Sequence, residues 1–426
     1  MSGPIFVCHG CAATLESARS LPFTCPNAGR ANDDTDHVLV PAEGGGAIAE
    51  GEADPFLRYR AMLSPYRLAR SSGLSDDAWS EIVETIEDRL IVVDGRAFST
   101  TPMAQQPELA TALGMSGGLW VKDETGNVAG SHKGRHLMAV MLYLLVLEAG
   151  KLPAGTALRA RRLTIASCGN AALAAAVIAR AAEWSLDVHI PRGANNAVVR
   201  RLKDLGAVIT VCDRRPGETA DPCISSFRQA VRGGAIPFSV QGPDNGLAIE
   251  GARTLGFEMA EEFAASGGVP DALFVQVGGG ALASAVAQGL AMASKFLRLP
   301  RVPRLMLVQT AGCAPFARAW RRLSGVDLDD AVRHRSRFMW PWESTPASAA
   351  SGILDDETYD WWEAAKGVRE AGGDAVVVDE IAIARAYELA KTHTAISAST
   401  TGTAGLAGLL ATPSQSAAVI FSGSDV

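Results

Sequence analysis

The sequence predicts an α/β protein in which helices cover parallel strands, and three observations support this fold class. From about residue 117 onward, short apolar strands alternate with longer helical segments, an order typical of parallel sheets. Gly150 and Gly206 end two of these helical segments. The 426 residues are 48% hydrophobic and 20% charged, a composition that allows a large core and two or three domains.

The elements follow one another in a regular order. Strands are predicted at 118–124, 161–167, 187–191, 207–212, 272–277, 304–309 and 417–423. Helices are predicted at 131–149, 169–184, 195–205, 249–265, from 281, near 380–394 and at 403–411. Residues 55–93 have helical periodicity, whereas 27–54 are rich in Gly, Asp and Ala and are interpreted as a flexible joint. Ligands of such folds bind at the carboxyl ends of strands, so the residues that follow each strand are the candidates for function.

Composition and charge exclude several kinds of partner. The net charge is −7 and no long lysine or arginine block occurs, so neither nucleic acid nor an anionic membrane surface is expected. The longest charge-free apolar run, 137–147, is shorter than the roughly 20 residues of a spanning helix. Residues 1–30 lack a basic start followed by an apolar stretch. We therefore expect a cytoplasmic protein that binds a small molecule.

Three of the seven cysteines form a pattern near the start of the chain. Cys8 and Cys11 form a Cys-x-x-Cys pair and Cys25 precedes a proline, which resembles three corners of a zinc ribbon. Ala28 stands where a fourth ligand is expected, and His37 is distant. Two interpretations stay open, a bound zinc ion or a degenerate ribbon with buried thiols, and we assign no metal ligand from the sequence.

Two polar clusters occur next to predicted strands. Ser131 and Lys133 follow the strand 118–124 and begin a helix, where the positive end of the helix dipole disfavours an ammonium group. A solvated surface lysine is the ordinary interpretation of such a position. The second cluster, Ser167, Cys168, Gly169 and Asn170, joins a strand to a helix, whose free N–H groups favour an anion such as a carboxylate.

Two further clusters follow later strands. The run 278–282 consists of Gly278, Gly279, Gly280, Ala281 and Leu282 and joins a strand to a helix, so its backbone amides can bind a phosphate. The run also satisfies G-x-G-x-x-A, but the segment about 20 residues on, "RLPRVPR", has no acid for a ribose, which argues against a nicotinamide enzyme. Ser422 follows the last strand within a Ser-Gly-Ser turn.

A lysine, a carboxylate site, a phosphate loop and a hydroxyl at strand ends match what pyridoxal phosphate needs. Over about 97–426, the chain resembles the fold-type II pyridoxal-phosphate enzymes, which include serine/threonine dehydratases, threonine synthase and tryptophan synthase β. The segments that carry the resemblance are "TTPM", "WVKDETGNVAGSHKGR", "ASCGNAALAAAVIAR", "VHIPRGANNAVVRRLKDLGAVI", "EGARTLGFEMAEE", "VGGGALAS" and "SGSD". Their shared order and spacing make the resemblance specific.

The resemblance implies a role for each candidate residue. Lys133 would hold pyridoxal 5'-phosphate as a Schiff base and act as the catalytic residue, Asn170 would bond the ring hydroxyl, and Ser422 would face the pyridine nitrogen. The phosphate would be bound by Gly278, Gly279, Gly280, Ala281 and Leu282. The substrate carboxylate would be bound by Ser131, Ser167, Cys168 and Gly169. A lysine linked to the cofactor need not carry a free ammonium charge.

The resemblance also implies an architecture and an activity. A tryptophan synthase β-like fold has two parallel-sheet α/β domains with the cofactor in the cleft between them. We predict an N-terminal arm and joint at 1–54, a large cofactor-binding domain at 55–128 and 241–426, and a smaller mobile domain at 129–240. A homodimer and a small amino-acid substrate are expected. The first hypothesis is a lyase that deprotonates Cα and eliminates a β-substituent through an aminoacrylate.

Other reactions of the same family stay open. Gly134 and the triple glycine resemble dehydratases and ammonia-lyases, whereas the cysteine-bearing arm and "RYRAMLSPYRLAR" resemble threonine synthase-like proteins. The alternatives are elimination and replacement on O-phosphohomoserine, a β-replacement synthase, or a cofactor-binding protein without the chemistry. His132 stands where the family usually has an aromatic residue; it either fills space or carries a second proton.

Overall fold

The computed structural model describes residues 4–17, 20–42, 44–214, 221–297 and 299–425. Within them, the strands are β1 Ile5–Cys8, β2 Thr14–Glu16, β3 Leu39–Pro41, β4 Met103–Gln105, β5 Leu119–Asp123, β6 Leu163–Ala166, β7 Leu186–Pro191, β8 Val208–Cys212, β9 Ile236–Pro237, β10 Ala272–Gln276, β11 Arg304–Thr310, β12 Asp374–Val378 and β13 Ala417–Phe421. The helices are α1 Pro55–Arg58, α2 Ser64–Ser71, α3 Asp76–Asp94, α4 Pro107–Ala112, α5 Lys133–Ala149, α6 Asn170–Ala181, α7 Asn196–Asp204, α8 Pro222–Arg232, α9 Arg253–Ala265, α10 Ala281–Leu297, α11 Pro315–Arg322, α12 Leu328–Ala331, α13 Trp361–Ala371, α14 Glu380–His393 and α15 Ala404–Ala411.

The larger sheet has six strands in the order β12-β11-β10-β13-β5-β4. All neighbours pair in parallel except β4, which runs antiparallel to β5. Every residue of β10 and β13 is buried, as expected for strands covered on both faces. Because β13 lies between β5 and β10, the residues that follow these three strands meet at one edge of the sheet.

The smaller sheet has four parallel strands in the order β8-β7-β6-β9. The edge strand β8 is largely exposed, whereas β6 at the centre is mostly buried. Two separate parallel sheets confirm the predicted α/β class. The strands of the smaller sheet come from residues between 163 and 237, while the domain bounds 55–128, 129–240 and 241–426 stay predictions.

The N-terminal arm has a small sheet of its own, which the sequence analysis did not predict. Strands β1, β2 and β3 form an antiparallel sheet in the order β2-β1-β3. Phe6 and Cys8 of β1 are buried in the same apolar cluster as α5 and α6, and Gly246 donates its N–H to the Phe23 carbonyl at 2.9 Å. The arm therefore packs against the body of the protein, and β3 lies within the segment interpreted as a joint.

Most predicted elements agree with the structure to within a few residues, and the elements that were missed include β12 and α13. Strand β12 follows a glycine pair and most of its residues are not buried, which is the weak pattern of an edge strand. Helix α13 begins at Trp361 after the acidic run 355–357.

Among the described residues, no single helix is long and apolar enough to cross a membrane. Helix α5 reaches the required length and hydropathy only when it is counted together with the turns at 153–160, and the two segments are bent by 107°.

Candidate active site

Lys133 is the first residue of α5 and is half-buried at the carboxyl edge of the larger sheet. Burial lowers the pKa of its ammonium group below the usual value, although Asp355 and Asp360 oppose the shift. The partial positive charge at the helix start acts in the same direction as burial. Both effects shift the equilibrium of this amine toward its neutral form, which is the nucleophilic one.

The turn before α5 is held against the end of β13. Ser131 forms an isolated bridge with Gly423, and the His132 N–H donates to the Ser422 carbonyl at 3.1 Å. A Cβ at position 423 would lie 2.9 Å from both the Asn170 Nδ2 and the Ser131 Cβ, so only glycine allows this approach. The structure thus brings Ser131, Asn170 and Ser422 together beside Lys133.

The Ser422 hydroxyl has a defined orientation. The Gln276 side-chain nitrogen donates to the Ser422 Oγ at 2.6 Å and also to the carbonyls of Gly402 and Ile420 at 3.0 and 3.1 Å. Two carbonyl acceptors identify this end of the amide as the NH₂ group. The Ser422 oxygen accepts a hydrogen bond, so its own proton is available to a further acceptor. Asp425, three residues after Ser422, is exposed.

The triple-glycine loop joins β10 to α10 and cannot tolerate side chains. Gly280 has a φ of 95°, a left-handed conformation that favours glycine. A Cβ at Gly278 would lie 2.9 Å from the Ile353 Cα and 2.3 Å from an Asp355 carboxylate oxygen. The Gly279 carbonyl accepts from the Asp360 N–H at 2.9 Å. The first backbone N–H groups of a helix have no partner within it, so this loop presents amide donors to an anion.

Asp355 lies close to Gly278 at the start of this loop. Burial raises the pKa of its carboxyl to about 6, while Lys133 and hydrogen bonding to the Gly279 backbone oppose that rise. Asp360 nearby accepts the Gly242 N–H at 3.1 Å, and burial raises its pKa to about 8. Neither residue is predicted from the sequence, because acids in the run 355–360 resemble an exposed loop.

The remaining predicted residues lie on the smaller-sheet side. Ser167 and Gly169 are half-buried and Cys168 is exposed. The Ser167 N–H donates to the His189 carbonyl at 3.2 Å, and a Cβ at Gly169 would meet no atom within 4 Å. This segment precedes α6 and is open toward solvent. Asn170 connects it to the larger-sheet residues through its approach to Gly423.

A buried ionic cluster anchors the helix that carries Lys133. Arg135 donates two hydrogen bonds of 2.9 Å to Glu124 and one of 2.6 Å to Glu258, and all three side chains are almost completely buried. Burial alone would raise the pKa of Glu124, but the Arg135 guanidinium holds it below the usual range. Lys122 contacts Glu258 from β5. These buried ion pairs therefore connect α5, α9 and β5.

His132 is buried beside Lys133 and is neutral. Burial lowers the pKa of its ring to about 3, and Lys133 adds to that effect. Its Nδ1 donates to the Ser422 carbonyl at 3.0 Å, because a carbonyl can only accept. Its ring centre lies 5.7 Å from that of His136. These contacts favour a packing role that fixes the turn before Lys133 over that of a second proton carrier.

The donor set fits a phosphorylated pyridine aldehyde. A lysine amine whose pKa is lowered by burial, a glycine loop at a helix start, an oriented hydroxyl and a side-chain amide converge at one edge of the larger sheet. A Cβ would clash at Gly278 and Gly280, so the close packing of this loop depends on its glycines.

Comparisons with solved structures show the fold. Diaminopropionate ammonia lyase from Escherichia coli, solved with an aminoacrylate–PLP azomethine intermediate, aligns with a TM-score of 0.60 at 17% identity over 90% of this chain and 93% of that chain. Maize serine racemase aligns with a TM-score of 0.58 at 20% identity over 81% and 93% of the two chains. The processed form of threonine deaminase isoform 2 from Solanum lycopersicum aligns with a TM-score of 0.59 at 17% identity over 83% and 92%. The tryptophan synthase β-like fold is thereby confirmed.

Sequence comparisons give the family. A threonine synthase of Synechocystis sp. is 26% identical over 340 residues, which are 78% of each chain. Residues 96–423 match the family model described as pyridoxal-phosphate dependent enzyme. The chain therefore belongs to the pyridoxal-phosphate-dependent enzymes, and its cofactor is pyridoxal 5'-phosphate.

Proposed function

We propose that this protein is a lyase that removes the Cα proton and a β-substituent from a small amino acid, releasing a keto acid and ammonia. The observation that carries the proposal is the neutral Ser422 hydroxyl, oriented by Gln276 at 2.6 Å, at the end of β13. A hydroxyl does not hold a proton on a pyridine nitrogen as a carboxylate does, so the ring is a weaker electron sink. That setting favours elimination over transamination.

The proposal assigns each predicted residue a place at the cofactor. Lys133 would hold the aldehyde carbon, and Asn170 the ring hydroxyl. The loop 278–282 would bind the phosphate through its backbone amides, and Ser422 would donate to the ring nitrogen. When bound, the cofactor supplies the sink for the charge that develops at Cα. Ser131, Ser167, Cys168 and Gly169 would bind the substrate carboxylate, mainly through amides at the start of α6.

Lys133 and Asp355 would perform the proton transfers. The Cα proton would pass to the Nζ of Lys133 when this amine is unprotonated, a general-base step worth about 10²–10⁴ in rate. The electron pair of the Cβ–oxygen bond leaves with the β-hydroxyl, which Asp355 protonates to water. The released enamine gains a proton, and hydrolysis of the resulting imine gives the keto acid and ammonia. The raised pKa of Asp355, about 6, keeps part of this carboxyl protonated near neutral pH.

A second candidate is elimination and replacement on O-phosphohomoserine. The observation that favours it is the threonine synthase of Synechocystis sp., which matches 78% of the chain at 26% identity. The loop at 278–282 and the amides of α6 would both accept anions, and that substrate has a phosphate and a carboxylate. A β-replacement synthase would use the same first half-reaction.

Product analysis separates these reactions. The purified holoenzyme is incubated with L-serine, L-threonine and O-phosphohomoserine, and keto acid, ammonia and inorganic phosphate are measured. A lyase yields equal amounts of keto acid and ammonia from a hydroxyamino acid. Phosphate release from O-phosphohomoserine, without keto acid from serine or threonine, selects the second candidate. Racemisation of serine without keto acid contradicts both.

The Asp355→Asn variant tests the proposed proton donor. We expect turnover to fall about 10²–10⁴-fold while cofactor loading is retained. The matched control is Asp356→Asn, whose carboxylate bonds the Tyr359 hydroxyl at 3.2 Å and which should keep near-parental turnover. An acid donor must be protonated, so activity through Asp355 declines as the pH rises above about 6. Unchanged turnover and an unchanged pH profile in Asp355→Asn would remove this role.

A cytoplasmic location and a homodimer are also proposed. They rest on the composition, which includes a net charge of −7, and on the family resemblance. Light scattering coupled to size-exclusion chromatography measures the mass in solution, and a value near that of one chain would contradict the dimer.

A further inference from the structure

The antiparallel sheet of the arm brings four potential metal ligands to one point. Cys8 ends β1, Cys11 lies in the turn between β1 and β2, and His37 precedes β3. Because Cys8 pairs with Leu39 across β1 and β3, the chain places His37 beside Cys8. The sulfur atoms of Cys8, Cys11 and Cys25 and a ring nitrogen of His37 all lie within 4.8 Å of one another.

The ligand spacings match those of a tetrahedral zinc site. The Cys8 Sγ lies 3.4 Å from the His37 Nδ1, and the Cys11 Sγ lies 3.6 Å from the Cys25 Sγ. With Zn–S near 2.3 Å and Zn–N near 2.0 Å, a tetrahedron requires separations of about 3.5 Å for sulfur to nitrogen and about 3.8 Å for sulfur to sulfur. The four atoms are therefore spaced to share one ion.

The groups around the four ligands are those expected for a metal centre. The His37 Nε2 contacts the Asp33 carboxylate at 2.6 Å, which leaves the Nδ1 lone pair directed toward the cysteines. Asn27 donates its backbone N–H to the Cys25 Sγ and its side-chain N–H to the Cys11 Sγ, both at 3.4 Å. A carboxylate behind a ligating histidine and N–H donors to the sulfur atoms orient ligands and favour thiolates.

Gly10 permits the close contact on which this cluster depends. A Cβ at Gly10 would lie 2.2 Å from the Asp36 carbonyl oxygen and 2.7 Å from the Thr35 side chain. The Cys-x-x-Cys turn can therefore lie directly against the segment that carries His37. This placement is why the fourth ligand, 29 positions from Cys8, escapes a search by spacing alone.

We propose that Cys8, Cys11, Cys25 and His37 bind one structural Zn²⁺ ion. Thiolates with one imidazole in a tetrahedral arrangement are typical zinc ligands. All four positions are occupied by side chains, which is the closed coordination of a structural site. The ion would hold the small sheet of the arm together, since only short strands of three or four residues form it.

The site would also connect the arm to the candidate active site. His9, between two of the ligands, contacts Glu363 of α13 at 3.3 Å and Asp36 at 3.5 Å. The residue before α13, Asp360, donates its N–H to the Gly279 carbonyl at 2.9 Å. A fixed arm therefore supports the segment that contacts the glycine loop.

Metal analysis of the full-length holoenzyme tests the proposal. The protein is expressed in zinc-supplemented medium and purified without chelator under reducing conditions. We expect inductively coupled plasma mass spectrometry to find one zinc ion per chain. A thiol-specific mercurial reagent should release this zinc. Cys11→Ser and His37→Ala should lose most of the zinc, whereas Cys212→Ser, a buried thiol outside the cluster, should retain it.

Two further measurements keep the test decisive if a ligand variant fails to fold. Co²⁺ substituted into the wild-type protein should give the intense visible bands of tetrahedral thiolate coordination. Asp33→Asn, which leaves all four ligands in place, should weaken zinc binding about 10–100-fold. A wild-type protein without zinc, a Cys11–Cys25 disulfide found by peptide mapping under these conditions, or equal zinc in His37→Ala would overturn the proposal.

Discussion

The two walls of the active-site cleft differ in how firmly their polar groups are held. On the larger-sheet wall, Ser422 and Gln276 are 4% and 3% exposed and hydrogen-bonded to each other, above the buried cluster of Arg135. On the smaller-sheet wall, Cys168 is exposed and Ser167 is half-buried. The first wall is preorganised, whereas the second is open, which is consistent with a resident cofactor on one side and an exchanging substrate on the other.

The difference has a physical basis in the two sheets. Strands β10 and β13 are buried along their whole length, so groups at their ends are fixed by close packing. Strand β8 at the edge of the smaller sheet is mostly exposed, so that edge buries less surface. Elements with little buried surface are those that open most readily. Variants on the two walls should therefore have effects of different size.

The largest effect is expected at Lys133. Lys133→Ala removes the amine that would hold the cofactor and accept the Cα proton, so turnover should fall by at least about 10²–10⁴-fold and the visible absorbance of bound cofactor should be lost. Lys151→Ala, at an exposed lysine, is the control. Retained activity in Lys133→Ala would contradict the assignment of the site.

Arg135→Met should cause the next largest effect, on stability. It leaves Glu124 and Glu258 buried without their guanidinium partner, and breaking a buried pair in this way costs about 3–5 kcal/mol. Urea unfolding followed by fluorescence measures the change in the free energy of unfolding. Arg192→Met, which breaks an exposed pair with Asp213, should leave the unfolding midpoint near that of the parent. An equal loss of unfolding free energy in both variants would show that the buried cluster contributes no more to stability than an exposed ion pair.

Ser422→Ala should have an intermediate effect. Removing the hydroxyl deprives Gln276 of an acceptor and, on the proposed assignment, the ring nitrogen of a donor. An unpaired buried group costs about 1–3 kcal/mol, or about 10–100-fold in kcat/KM. Ser424→Ala, whose hydroxyl contacts the Gly130 carbonyl at 3.4 Å, should retain near-parental kcat/KM. An unchanged kcat/KM in Ser422→Ala would show that the ring nitrogen of the cofactor does not contact this hydroxyl.

The smallest effect is expected at Cys168. Its side chain is exposed, and the proposed carboxylate contact is made by backbone amides at the start of α6. Cys168→Ala should therefore change KM and kcat by no more than a few-fold in steady-state kinetics. A large rise in KM would show that the thiol itself contacts the substrate and that the second wall is as specific as the first.

Much of the fold and part of the site could be predicted from the sequence. Strong alternation of apolar strands and helices identified the parallel sheets, and glycine and lysine at strand ends identified the loop 278–282 and Lys133. These signals are local, since each lies within one short segment. Residues that act through distant contacts gave no such signal.

Asp355 and His37 show why the rest could not be predicted. Asp355 reaches the site because the chain after α12 folds back over the triple-glycine loop, and nothing in "LDDE" indicates this. His37 approaches Cys8 only through the pairing of β1 with β3, two strands of four and three residues. Short strands at the start of a chain have weak periodicity, so their pairing is visible only in three dimensions.

The contacts of the N-terminal arm imply an order of assembly on the ribosome. His9 meets Glu363 across 354 positions of sequence, and Ser336 meets Asp34 across 302. Nascent chains generally fold from the N-terminus as they emerge, so the arm can pack against α5 and α6 before these later residues complete its contacts. The four proposed ligands all lie between residues 8 and 37, so a bound ion would keep this segment compact until the later residues are made.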